Sequence, residues 1–116
     1  MRTATQLALD VCPVEVTVSV IGGSWKLTII QILLQGTRRF GGLRREVGDI
    51  TDRVLTRQVR ELEADGLVHR EVFAEVPPRV EYSLTDWGRS LQPLVEMVDD
   101  WGHRWALAQT DSEEAP

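Results

Sequence analysis

Two periods of apolar residues alternate along this chain of 116 residues, and the switches between them mark its elements. From Trp25 to Leu34 the apolar residues Leu27, Ile29, Ile30, Ile32, Leu33 and Leu34 cover most of a helical circumference, which predicts an interior helix capped by Ser24 and ended by Gly36. Pro13 to Ile21 reads as a preceding helix with proline in its first turn and Gly22-Gly23 as its stop. The β-branched runs VTVSVI and LTIIQI also suit strands, but length, cap and terminal glycine favour helix. Phe40, Leu43 and Val47 then fall at helical spacing before Gly48. Thr51 as N-cap and Gly66 as stop delimit a helix over 52–65. On it Leu55, Val59 and Leu62 form one stripe, and Arg53, Thr56, Arg57 and Arg60 form the opposite one.

After Gly66 the period changes to two. Val68, Val72, Ala74 and Val76 share one side of a first strand, and Val80, Tyr82 and Leu84 share one side of a second. The intervening Pro77-Pro78 excludes the usual two-residue turns and predicts an open, stiffened loop that resists further strand pairing. A helical period then returns. Trp87, Leu91, Leu94, Val98, Trp101 and Trp105 follow spacings of 4, 3, 4, 3 and 4, a heptad seam in which Pro93 predicts a kink or a break. Trp87 and Leu91 are expected to cover the chain's own core, while Leu94, Val98, Trp101 and Trp105 are candidates for a subunit interface. Residues 109–116 are polar and acidic and read as a disordered tail.

The order helix-turn-helix, then hairpin, is that of a winged helix. The expected architecture is therefore α+β, mostly α, in one domain spanning 1–116. It comprises a helix-turn-helix over about 40–66, a wing over about 67–84 and a dimerisation helix over about 85–108, with N-terminal helices added.

Charge changes this picture more than composition does. The net charge of −5 looks wrong for a nucleic-acid binder, yet residues 38–60 carry seven arginines against three acids, a local balance of +4. A basic middle on an acidic body points to one anionic partner met through one face. An arginine stripe can also be no more than a solvated helix face. Its setting, on the second helix of a helix-turn-helix and without an acid among its members, favours entry into a major groove. Arginine can bridge guanine O6 and N7 and threonine can touch a thymine methyl, or either can hold phosphate. The candidate DNA contacts are Arg39, Arg44, Arg53, Thr56, Arg57, Arg60 and, beside the wing tip, Arg79; Glu75 and Glu81 limit the wing to that one arginine. A rival reading is a winged-helix module for protein contacts, or a ligand-binding dimer without sequence-specific DNA binding, for which an outward arginine stripe has no use.

Other chemistry is sparse. His69 and His103 are too few and too far apart to suggest a metal or catalytic pair, and Gly22-Gly23-Ser24-Trp25-Lys26 lacks the spacing of a phosphate-binding loop, so neither an enzyme nor a cofactor is expected. No apolar run approaches the roughly 18 residues of a membrane span, and the N-terminal residues do not resemble a signal peptide, which suggests a cytoplasmic protein without a membrane partner. Cys12, the single cysteine, is either a small buried apolar side chain or a thiol open to alkylation, a mixed disulfide or an intersubunit pair.

Three separated segments, CPVEVTVSVIGGSWKLTIIQILL, RRFGGLRREVGDITDRVLTRQVRELEADGLVHREVF and EVPPRVEYSLTDWGRSLQPLV, resemble the HxlR-type helix-turn-helix regulators, a branch of the MarR-like winged-helix transcription factors. The resemblance runs from Cys12 to about Trp101. It implies a dimeric DNA-binding regulator of bacterial or archaeal type, often responsive to electrophiles, oxidants or small aromatic compounds. Family members commonly carry lysine or proline where Asp52 and Arg53 stand, so the helix's role transfers and a base preference does not. Cys12-Pro13-Val14-Glu15 keeps the pattern in which relatives use a cysteine as a redox or electrophile switch. The combined expectation is a homodimeric repressor on a pseudo-palindromic double-stranded operator, with a small-molecule effector or redox signal as its input. Repression is expected because many small regulators act by blocking promoters.

Overall fold

The computed structural model describes residues 1–23 and 25–114, so the Ser24 cap lies outside the described residues. Helix α1 (Thr3–Ala8) has no signature in the sequence, because only Thr5 among its residues is buried. Helix α2 (Pro13–Ile21) begins on its proline as expected. It stops at Gly22, where a Cβ would sit 2.2 Å from the Val18 carbonyl oxygen, so only glycine fits. Helix α3 (Lys26–Leu33) buries Ile29, Ile30 and Leu33 and forms the interior element that its apolar girth demanded. It is entered through Trp25 at φ 79. That left-handed conformation costs a non-glycine residue on the order of 1–3 kcal/mol, and the packing of the indole against the core offsets it.

Two-residue strand β1 (Arg38–Arg39), which the sequence pattern does not mark, leads into α4 (Phe40–Val47) and α5 (Asp52–Ala64). The α5 N-terminus is capped as its sequence implies, the Thr51 hydroxyl accepting the Val54 N–H at 3.2 Å. Strands β2 (Val68–Phe73) and β3 (Arg79–Leu84) pair antiparallel from Val68 opposite Leu84 to Phe73 opposite Arg79, leaving residues 74–78 as the open tip, so Ala74 and Val76 fall outside the strand that their period predicted. β1 pairs with the other edge of β3, giving a three-stranded sheet in the order β1-β3-β2. Two residues are too few to show a period, so this strand exists only through its partner.

The C-terminal region divides where proline requires it, into α6 (Asp86–Arg89) and α7 (Gln92–Glu114) with Pro93 in the first turn of the second helix. This break corrects the heptad seam. The spacing from Trp87 assumes one continuous helix, and the interruption at Ser90-Leu91 shifts the phase, so Trp87 is 75% exposed instead of covering the core. Leu91 and Leu94 pack against the core and Val95 is buried, while Val98, Trp101 and Trp105 project from it. The tail expectation is also corrected over residues 109–114, which continue α7. Ala106, Leu107, Ala108 and Gln109 are good helix formers and carry the turn onward despite the acidic composition.

The core lies between α3, α4, α5 and the base of the sheet. Ile29, Ile30, Leu43, Leu55, Val59 and Leu62 are its fully buried side chains. Gly88 pins α6 to this body, since a Cβ there would lie 2.3 Å from the Leu67 carbonyl oxygen. No single helix among the described residues is long and apolar enough to cross a membrane.

Candidate nucleic-acid interface

The two short helices required of a helix-turn-helix are α4 and α5, and one ion pair spans their joint. Arg44 Nε lies 2.5 Å from Asp52 Oδ1. Arg44 therefore spends its charge on the acid at the start of α5, and Asp52 no longer opposes the arginines that follow it. Leu55, Val59 and Leu62 turn inward, together with Gln58. Arg53, Arg57 and Arg60 are exposed on the other side with Thr56 half-buried between them. Among the described residues none of the three arginines is paired with an acid. They border an open groove of about 670 Å³ shared with Arg2, Thr56 and two acids, Asp52 and Glu61, that are themselves paired with Arg44 and with Arg2 and Lys26. An anion entering it meets three uncompensated guanidinium groups.

The wing places its arginine differently from the sequence expectation. Arg79 is not held out at the tip: its guanidinium carbon lies 4.0 Å above the Phe73 ring, and its nitrogens are 3.4 Å from Glu75 and 3.2 Å from Glu81. Phe73 and Arg79 are directly opposed in the ladder, so strand register stacks them, and the two acids on either side of Arg79 complete the pairing. The same acids that were expected to limit wing contact neutralise its one arginine. Arg39, exposed on β1, instead faces the tip across a groove of about 440 Å³ lined by Phe40, Pro77 and Pro78. Burial, reinforced by Glu63, raises the Tyr82 hydroxyl pKa above its usual value, against the opposing charges of Arg70 and Arg60. The wing base and α5 are thus close enough to share a field.

Two basic residues that the sequence pattern did not single out lie on or beside the two helices. Arg45 is exposed on α4 beside Gly41 and Gly42. Arg2 enters the α5 groove from the start of the chain, where nothing in the local sequence marks it. At the far end of α5 the acids Glu61 and Asp65 are both paired, Glu61 with Arg2 at 3.1 Å and with buried Lys26 at 3.4 Å, and Asp65 with Arg2 at 2.8 Å. Burial pushes the Asp65 carboxyl up, but hydrogen bonds from the Arg2 backbone and guanidinium and from Thr5, with the Arg2 charge, outweigh it and hold the group below its ordinary value. Lys26 is accordingly a structural lysine.

A second surface is apolar. Val98, Trp101 and Trp105 are exposed along α7, with the two indoles stacked at a centroid distance of 6.4 Å and an interplanar angle of 16°. Leu94 is drawn toward the core and is set apart from these three. Leu7, Leu9, Val11, Val14 and Val18 are exposed on and around α1 and α2. A cleft of about 460 Å³ between these helices and α6 is lined by Leu9, Val16, Val20, Trp87 and Leu91. Cys12 is half-buried at the N-cap of α2, without a side-chain capping hydrogen bond. Among the described residues no group of three or more His, Cys, Asp or Glu side chains is arranged to hold a metal ion.

Comparison with known proteins gives a consistent result. The family model of the HxlR-like helix-turn-helix matches residues 20–110. The chain is 55% identical over 91 residues to the uncharacterized HTH-type transcriptional regulator YybR of Bacillus subtilis (strain 168), covering 78% of this chain and 73% of that protein. It is similar to the solved structure of the redox regulator HypR in its oxidized form, at 54% identity and a TM-score of 0.76, covering 80% of this chain and 96% of that one. A transcriptional regulator of the MarR family from Enterococcus faecalis V583 matches at 42% identity and a TM-score of 0.70, over 96% and 94% of the two chains.

Proposed function

Because this chain belongs to the HxlR-like helix-turn-helix family and is a DNA-binding transcriptional regulator of a non-enzymatic class, we propose that it acts as a homodimeric repressor in the cytoplasm, with α5 as its reading helix. The observation that carries the assignment of α5 is the set of exposed arginines without acid partners, Arg53, Arg57 and Arg60, on the second helix of the motif. Arg39 contacts the backbone from the β1 side. Arg44 and Arg79 act indirectly, the first holding α4 to α5 and the second stiffening the wing through Phe73, Glu75 and Glu81.

The dimer is formed by the apolar surfaces of α7, α1 and α2. Val98, Trp101 and Trp105 of one protomer cover the cleft and valine-rich face of the other, and two-fold symmetry then sets two α5 helices about 34 Å apart, or a multiple, on a pseudo-palindromic site. Cys12 sits at the edge of that surface and is the input for an oxidant or electrophile; a similar protein, HypR, is described as a redox regulator.

Fluorescence anisotropy on a duplex selected from a random pool tests the interface. About four phosphate contacts per subunit give a log-log salt slope near −7. Arg57→Ala should cost roughly 1–3 kcal/mol on the selected duplex if it reads a base, and should weaken every sequence equally if it holds backbone. Affinity independent of salt would refute the electrostatic reading.

A further inference from the structure

The densest set of partly buried polar contacts in the described structure lies where the start of the chain meets the end of α5. The Arg2 backbone N–H donates to Asp65 Oδ1 at 2.9 Å and its Nε to Oδ2 at 2.8 Å. Its Nη1 donates to Glu61 Oε2 at 3.1 Å and its Nη2 to the Ser19 carbonyl. Thr5 Oγ1 lies 3.1 and 3.0 Å from the two Asp65 oxygens, and Ser19 Oγ lies 3.2 Å from Thr5 Oγ1. The Asp65 side chain is 1% exposed.

Arg2 thus joins three helices, two through its guanidinium and one through its place in the chain. Asp65 is the C-cap of α5, Ser19 lies in α2, and Arg2 itself caps α1. The guanidinium sends one N–H to each of three acceptors, Asp65, Glu61 and the Ser19 carbonyl, from a rigid plane whose spacing the compact ammonium of lysine does not reproduce. The clamped acids follow the arginines on the same helix, Glu61 directly after Arg60 and Asp65 at its C-cap. Rotation of the clamped end therefore moves the arginine face.

We propose that Arg2 is a positioning residue for DNA recognition: clamping Glu61 and Asp65, it sets the angle of α5 against α1 and α2 and so the presentation of Arg53, Arg57 and Arg60. This rests on α5 being the reading helix. Two simpler roles compete. Arg2 borders the same groove and could touch phosphate directly, or the clamp could contribute only to folding.

The sign of one substitution separates these roles. Asp65→Asn removes a negative charge from the neighbourhood of DNA, so simple electrostatics makes it tighten binding to any duplex. A positioning clamp makes it weaken binding to the selected duplex. The assay is anisotropy on that duplex and on an unrelated one, for Arg2→Lys, Asp65→Asn and Arg57→Ala, at a temperature below each variant's measured melting transition. Arg2→Lys and Asp65→Asn should each weaken the selected duplex about tenfold, the worth of one lost base contact, with the unrelated duplex changed less than about threefold. Unchanged or tighter binding of the selected duplex by Asp65→Asn overturns the proposal. So does equal weakening of both duplexes by Arg2→Lys. Should Asp65→Asn not fold, Arg2→Lys, which keeps the charge and loses the planar three-way contact, decides by its ratio between the two duplexes. Arg57→Ala distinguishes the two levels: if it binds weakly while the clamp variants bind like the parent, only the clamp falls, and if it too binds normally, α5 is not the interface.

Discussion

Truncating Trp105 to alanine tests the dimer most directly, because the residue has little to do within its own protomer. Its exposure of 54% leaves about half of the indole free, on the order of 130 Å² if the whole side chain offers about 250 Å². At about 25 cal/mol/Å², complete burial against a partner contributes about 3 kcal/mol, of which alanine retains roughly a quarter. The net loss is about 2 kcal/mol per protomer. Symmetry doubles it to about 4 kcal/mol, and the non-additivity of interface truncations widens the range to 2–4. At 1.4 kcal/mol per tenfold, the dimer dissociation constant rises roughly 30- to 1000-fold. Sedimentation velocity across a concentration series measures this, with far-UV circular dichroism as the control for the protomer fold. The stacked Trp101 should behave alike, and the double variant should fall short of the sum because the two rings share one surface. A dissociation constant within twofold of the parent for Trp105→Ala would show that α7 lies outside the interface.

Three further outcomes are expected. Gly88→Ala drives a Cβ to 2.3 Å from the Leu67 carbonyl and 3.0 Å from Leu84 Cδ2, so the urea midpoint should drop by an amount equivalent to about 2–3 kcal/mol; an unchanged midpoint would mean that α6 moves freely on the wing base. The Asp65 carboxyl titrates below its unfolded value while facing Arg2, Thr5, Glu61 and, through Glu61, Lys26; protonation therefore favours the unfolded chain, and the clamp's stabilisation is complete above about pH 4 and lost as pH falls through the lower folded value. Urea unfolding at pH 7 and pH 3 should show the gap between parent and Asp65→Asn narrowing at the acid end; a constant gap rejects this. Treatment with diamide or a quinone should release DNA from the parent and not from Cys12→Ser, and equal release from both removes Cys12 as the input.

Short-range pattern carried most of the architecture. Thr51 and Gly66 bound α5, its two stripes divide core from solvent at Leu55 and Arg57, and the period of two around Pro77-Pro78 yields β2, β3 and an open tip. Each of these rests on residues a few positions apart, which is the range over which a helix or a strand repeats. Where the elements meet, that range is exceeded. Whether an arginine is free or spent depends on which partners packing delivers to it: Arg79 is stacked on Phe73 across the ladder between Glu75 and Glu81, Arg44 finds the first residue of the next helix, and Arg2 reaches residues 59 and 63 positions away. β1 exists only because β3 offers an edge, and Trp87 left the seam because a break at Ser90-Leu91 reset a phase that the spacing assumed continuous. The sequence alone therefore determined the longer elements, though not α1 or β1, and the sign of the charge on each face, since both follow from local repeats. Only the tertiary structure decided which of those charges remain unpaired, since that depends on side chains brought together from distant parts of the chain.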